Sequence, residues 1–189
     1  MWRRTPERGT DTMRQSVALI GLSGTGKSTV AQLLGEQQGW PVYDIDALVV
    51  AQTGRAVAEL FASEGEAVFR QYETAALQTV LTTDRQLAVV IATGGGIVLR
   101  DANRQLLREH TRVIWLDAPT AVLLARLQAA TNETRPLLVG DDPVARIEAM
   151  RQARQTYYRE LADYRLDTSG LSAAQVAASI GQWVTIENG

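Results

Sequence analysis

Apolar residues fall along this chain in short blocks that alternate between two spacings. The continuous run Val17-Ala18-Leu19-Ile20 has the length and composition of a buried strand, and Val30, Leu33 and Leu34 after it mark one face of a helix that should end near Gly39. Pro41-Val42-Tyr43-Asp44 reads as a short second strand. Residues 47–83 carry helical spacing in three pieces: one stopping near Thr53-Gly54, one with Val57, Leu60 and Phe61, and one after Gly65 with Val68, Tyr72, Ala76 and Val80. A third strand, Ala88–Ala92, runs into Thr93-Gly94-Gly95-Gly96, and a helix over 101–109, a fourth strand Arg112–Leu116 and a helix Thr120–Ala129 follow. The rhythm breaks over 131–143, a polar stretch with Pro136, Gly140 and Pro143 that reads as a mobile lid over a site. It resumes with a helix over 143–160, a short strand Tyr164–Asp167 and a last helix from Ser172 to about Val184. Strands alternating with helices predict an α/β fold: a five-stranded parallel sheet with helices on both faces, three layers in all.

Composition narrows the function more than the fold. A length of 189 residues suits one domain, expected over 15–189, with residues 1–14 an arginine-bearing disordered tail that lacks the apolar segment of a secretory signal. Hydrophobic residues at 46% and charged residues at 21% lie near the averages for soluble proteins, and no apolar run is long enough to span a bilayer. A net charge of −2 supplies no global field for nucleic acid, so neither nucleic acid nor membrane is expected as a partner. Small anions must then be met by locally placed arginines. The chain has no cysteine, which excludes disulfides and thiolate metal sites and fits a reducing cytoplasm, where a monomer is expected. The single histidine, His110, lies in a polar helix end and reads as a surface residue, so a Ser/His/Asp triad is hard to build.

The stretch Gly21-Leu22-Ser23-Gly24-Thr25-Gly26-Lys27-Ser28-Thr29 adds the first specific chemistry. It matches G-x-x-x-x-G-K-[ST] in full and sits between a predicted strand and a predicted helix, the context that a phosphate-binding loop requires. Glycines let consecutive amide groups converge on an anion, and the helix that follows adds its positive end. Gly24, Thr25, Gly26, Lys27, Ser28 and Thr29 are therefore expected to hold a nucleotide, with Lys27 reaching its β- and γ-phosphates and Ser28 ligating Mg²⁺. The sheet and this loop together predict a P-loop NTPase fold.

A phosphate loop needs an acceptor site opposite it. Asp44 and Asp46, two residues apart at a strand end, would point the same way, one supporting a water on Mg²⁺ and the other taking or orienting the proton of an acceptor hydroxyl. The plainer reading of Asp46 alone is a cap opening a helix at Ala47. Gly94-Gly95-Gly96 permits close approach of a ligand to a strand end, although taken alone a plain turn is the commoner explanation. Arg70 has Glu73 three residues later on the same helix, a spacing that lets the carboxylate fix the guanidinium, and Arg154 lies on a later helix. Two fixed arginines can grip a carboxylate, while each taken singly reads as a solvated surface charge. Arg135, held extended by Pro136, sits in the lid-like stretch.

In this order and spacing the motifs resemble the shikimate kinases, enzymes of the nucleoside-monophosphate-kinase-like fold. The resemblance covers about residues 16–184. It is carried by Gly21–Thr29, Asp44-Ile45-Asp46, Phe69-Arg70-Gln71-Tyr72-Glu73, Gly94-Gly95-Gly96, Arg135-Pro136-Leu137-Leu138, and Arg154 followed by Tyr158. It implies transfer of the γ-phosphate of ATP to the 3-hydroxyl of shikimate, on the route to chorismate and the aromatic amino acids, with Mg²⁺ as cofactor. It further implies that Asp46 binds substrate hydroxyls and acts as base, with Asp44 supporting the Mg²⁺ water shell. Arg70 and Arg154 would clamp the carboxylate, Gly94, Gly95 and Gly96 would line the substrate ring, and Arg135 would stabilise the transferring charge. Arg126 stands farther from Arg135 than the family's adenine-stacking arginine, which leaves the adenine contacts unassigned. A gluconate-kinase-like enzyme and an inactive binding module of the same fold are the alternatives.

Overall fold

Strand β1 (Val17–Ile20) is wholly buried, and the rest of the sheet is laid down around it. In the computed structural model, which describes residues 16–83, 87–129 and 142–187, β1 is flanked by β3 (Val90–Ala92) and β4 (Arg112–Asp117). Strands β2 (Val42–Asp44) and β5 (Tyr164–Asp167) lie at the edges, giving the order β2-β3-β1-β4-β5 with every pair parallel. Val17 stands beside Val90 on one side and Arg112 on the other. Because the chain crosses from β3 to β4 over the two sides of β1, the carboxyl ends of β1, β2 and β3 open together onto the crevice where parallel sheets bind ligands.

Alternation along the strands divides the core in two. Ala18, Ile20, Ile91, Val113 and Trp115 face α2 (Ile45–Thr53), α3 (Val57–Thr83), α4 (Asp101–His110), α5 (Thr120–Ala129) and α6 (Pro143–Leu161). Val17, Leu19, Val90, Ala92, Ile114 and Leu116 face α1 (Lys27–Gln38) and α7 (Ala173–Glu187), with Tyr164 and Trp183 stacked at 5.3 Å between centroids. The three-layer α/β sheet is as the sequence predicts. Helix α3 is broken at Gly65, whose φ of 82° and ψ of 168° are non-helical, so the expected second and third pieces are two limbs of one kinked element. No helix among the described residues is long and apolar enough to cross a membrane.

Several boundaries differ from expectation. Strand β3 begins at Val90 rather than Ala88, because the Ser16 hydroxyl takes the Val89 amide (3.2 Å). Helix α2 begins at Ile45 rather than residue 47, because Asp44 caps it. Helix α7 runs to Glu187, opened by a reciprocal cap in which Gln175 N donates to Ser172 Oγ and Ser172 N donates to Gln175 Oε1. The expected tail, residues 1–14, and residues 131–141 of the expected lid, Arg135 included, lie outside the described residues.

Gly35 lets α1 lie close against β2: a Cβ there would stand 2.2 Å from Val42 Cγ2 and 2.9 Å from Trp40 O. Helix propensity alone would make Gly35→Ala stabilising by about 1 kcal/mol. The backbone contact outweighs it, so the variant should lose about 1–3 kcal/mol in urea unfolding. A raised unfolding midpoint would show that α1 can shift off β2 freely.

Candidate active site

The loop after β1 is built to present amides. Gly26, at φ 89°, opens α1 without a side-chain cap, and the first turn holds no acid, so the leading N–H groups and the positive helix end are left to an anion. Thr25 is buried and turned inward, its Oγ1 donating to Leu22 O (2.8 Å), while Ser28 and Thr29 are exposed at the helix start. Lys27 arches back over the loop, and its Nζ donates to Gly21 O and Leu22 O, both at 2.9 Å. Burial lowers its pKa to about 8, Asp46 and Asp44 pull it upward, and Arg154 pushes it down. One ammonium thus stands within the fields of two carboxylates and a guanidinium from three other elements.

The two aspartates divide their work differently from the strand-period argument. Asp44 ends β2 and caps α2: its Oδ1 accepts from Ala47 N (3.2 Å) and its Oδ2 accepts from Ser28 Oγ (2.6 Å). Asp46 lies in the first turn of α2, so the cap is Asp44 and the pair does not share a strand face. The helical turn instead sends Asp46 toward the glycine triplet. A Cβ on Gly94 would meet Asp46 Oδ1 at 2.7 Å and Glu73 Oε1 at 2.6 Å.

The neighbouring glycines face the arginines. A Cβ on Gly96 would stand 2.1 Å from Arg70 Nη2, and one on Gly95 would stand 3.5 Å from Arg154 Nη1. Gly94-Gly95-Gly96 is therefore more than a plain turn: it is the floor on which Asp46, Glu73, Arg70 and Arg154 converge. Tyr158, one turn after Arg154, donates its hydroxyl to Gly95 O (2.5 Å) and pins the triplet. Burial pushes that phenol up to about 12, although Arg154 beside it acts in the opposite sense.

Arg70 is held on two sides. Its Nη1 donates to Glu73 Oε2 (2.5 Å) and its Nη2 to Glu66 Oε1 (2.8 Å), and it lies over Phe61 and Phe69 at 5.7 and 5.3 Å from their centroids. Burial works against its charge, but Glu73 and Glu66 outweigh it and raise its pKa. Glu73 is wholly buried, and burial pushes its carboxyl up to about 7; Arg70 holds it down and Asp46 adds repulsion. Its Oε1 accepts no hydrogen bond among the described residues and faces Gly94.

The fold thus gathers Lys27, Ser28, Asp44, Asp46, Arg70, Gly94, Gly95, Gly96 and Arg154 at one end of the sheet. Arg135 lies outside the described residues. Sequence reasoning missed Glu66, which its four-residue spacing from Arg70 could have revealed, and the bond from Tyr158 to Gly95, which no local signal announces. Arg126 is engaged elsewhere: Nη1 donates to Thr168 Oγ1 (2.9 Å) and Nη2 to Thr168 O (2.6 Å), tying α5 to the loop after β5.

A parallel sheet with this loop after its central strand defines a P-loop kinase fold. The family model for shikimate kinase matches residues 23–185. The shikimate kinase of Symbiobacterium thermophilum is 44% identical over 165 residues, covering 87% of this chain and 93% of that protein. The shikimate kinase of Moorella thermoacetica is 44% identical over 168 residues, 89% of this chain and 93% of its own. A solved structure of shikimate kinase from Acinetobacter baumannii in complex with shikimate superposes with a TM-score of 0.83 at 32% identity, covering 91% of this chain and 93% of that one. This chain belongs to the shikimate kinase family.

A carboxyl that binds its proton more tightly in the fold than in the unfolded chain lowers stability as pH rises between its two pKa values. For Glu73 that window runs from about 4.5 to about 7. Glu73→Gln removes the titration, so the stability of the variant relative to the parent should rise by roughly 1–3 kcal/mol between pH 5 and 7.5 in urea unfolding. A difference that is flat with pH would mean that Arg70 compensates the buried charge in full.

Proposed function

We infer that this protein transfers the γ-phosphoryl group of ATP to the 3-hydroxyl of shikimate, yielding shikimate 3-phosphate and ADP in the shikimate pathway. The observation that carries the reading is the convergence of Asp46, Arg70 and Arg154 on Gly94-Gly95-Gly96, beside the phosphate loop, in a chain of this family. The loop amides and Lys27 receive the triphosphate. A bound phosphate outcompetes the carbonyls of Gly21 and Leu22 for the ammonium and raises its pKa, so that Lys27 is a full cation when the β–γ bridge breaks. Arg70 and Arg154, approaching the triplet from α3 and α6, grip the carboxylate of shikimate. That grip turns the ring hydroxyls toward Asp46, whose carboxylate accepts the proton of the 3-hydroxyl as its oxygen bonds to phosphorus and ADP departs.

Ser28 Oγ and Asp44 Oδ2, 2.6 Å apart beside the start of α1, are hard oxygen donors of the kind Mg²⁺ prefers with phosphate and water completing the shell. These residues fit the ion, which when bound would neutralise charge on the β- and γ-phosphates. Arg135, in the stretch read from sequence as a lid, adds positive charge at the transferring group in this reading. In this reading the protein is a cytoplasmic monomer whose partners are ATP and shikimate, and a chain without cysteine fits a reducing cytoplasm. A gluconate-kinase-like activity is not favoured, since the relatives at 44% identity are shikimate kinases, and retention of Lys27, Ser28 and Asp46 disfavours an inactive module.

Mg²⁺-dependent ADP release over a panel of hydroxy acids tests the reading. Shikimate should stimulate release and gluconate should not, and Arg70→Gln should raise the KM for shikimate at least tenfold while leaving that for ATP within about twofold. Stimulation by gluconate alone would overturn the substrate, and an equal rise in both KM values would overturn the clamp.

A further inference from the structure

A second concave feature lies on the same α6 helix, on a stripe that the catalytic cluster does not use. A cleft of about 490 Å³ is lined by Trp115, Asp117, Arg151, Gln155, Arg159 and Arg165. None of these residues belongs to the phosphate loop or the glycine triplet. Arg151, Gln155 and Arg159 follow one another at four-residue intervals and so share one side of the helix, whereas Arg154 leaves it toward Gly95. We propose that this cleft is a binding site for a small phosphomonoester, with the phosphate seated among Arg151, Arg159 and Arg165.

Two of the three guanidinium groups, those of Arg151 and Arg165, are fixed in place before any ligand arrives. Asp117 accepts from Arg151 Nη1 on Oδ1 (2.9 Å) and from Arg165 Nη2 on Oδ2 (2.8 Å), and Arg151 Nη2 also donates to Ala118 O (2.5 Å). Arg165 lies over the Trp115 ring at 4.8 Å from its centroid. One carboxylate thus orients two arginines, and Arg159 has no ion pair among the described residues, so the lining carries two more positive than negative charges. Arg165 Nε is buried and donates no hydrogen bond among the described residues. Orientation by Asp117 and Trp115 removes much of the entropy that a free arginine would lose on binding, and planar guanidinium forks match the oxygens of a phosphate. The volume exceeds what a bare phosphate fills, which leaves Gln155 and the indole wall for an organic body. Trp115 also stacks on Tyr158 at 5.7 Å, and Tyr158 holds Gly95, so the cleft abuts the support of the acceptor floor.

Isothermal titration calorimetry on the full chain, saturated with Mg²⁺–ADP so that the phosphate loop is filled, tests the site at constant ionic strength. Inorganic phosphate and glucose 6-phosphate are the probes, and glucose is the control. Glucose 6-phosphate should bind one to one and more tightly than inorganic phosphate, while glucose gives no heat. Arg159→Gln and Arg165→Gln should each weaken glucose 6-phosphate at least tenfold. The Arg159 variant is decisive because its side chain is exposed and holds no ion pair among the described residues. Equal affinity for the two phosphates would overturn the organic body and leave free phosphate as the occupant. Absence of binding, or wild-type affinity in Arg159→Gln, would overturn the site.

Discussion

The ion pair between Arg70 and the wholly buried Glu73 sets the geometry around the glycine triplet. Burying a carboxylate is costly, and the cost is tolerated only with excellent geometry and further partners. Here the partners are Glu66 on the outer side of the guanidinium and the rings of Phe61 and Phe69 beneath it. With Arg70 fixed, the backbone facing it has no room for a side chain, and Gly96 follows as a steric requirement. The same reasoning passes along the triplet, where Gly94 makes room for Asp46 and Glu73 while Gly95 lies beside Arg154. A floor of bare backbone surrounded by two acids and two cations suits a small molecule that carries one carboxylate and several hydroxyls.

The other half of the centre rests on the sheet. Because β1 is central and its neighbours are parallel, the loops after β1, β2 and β3 all emerge at one end, so Lys27, Asp44 and the triplet meet although they are far apart in sequence. Ser28 and Asp44 join the two halves through one short hydrogen bond. Lys27 stands where both aspartates and Arg154 reach it electrostatically, and burial, the largest influence on it, still lowers its pKa to about 8. The phosphate loop and the glycine floor are therefore coupled through charge as well as through backbone.

Much of this was legible in the residues. The alternation of apolar blocks predicted all five strands, and Gly21–Thr29 located the phosphate site because a local motif is the whole of that chemistry. The spacing of Arg70 and Glu73 announced their bond. Asp44 and Asp46 were paired by the wrong period: a strand argument was applied to residues that straddle a helix start, and the cap proved to be Asp44. The role of the glycines was hidden, since a glycine signals only permission, and what requires it is the guanidinium of a residue on another element. The bond from Tyr158 to Gly95 spans 63 positions and the pairing of Arg151 with Asp117 spans 34, separations at which no periodicity carries information.

The central claim is that the acceptor sits on the glycine floor between the two arginines. A crystal structure of the protein with shikimate and a non-hydrolysable ATP analogue tests it most directly. The account predicts the carboxylate between Arg70 and Arg154, the ring over Gly95 and Gly96, and the 3-hydroxyl within hydrogen-bond reach of Asp46 and in line with the γ-phosphate. A carboxylate seated away from both arginines, or a 3-hydroxyl turned away from Asp46, would contradict it.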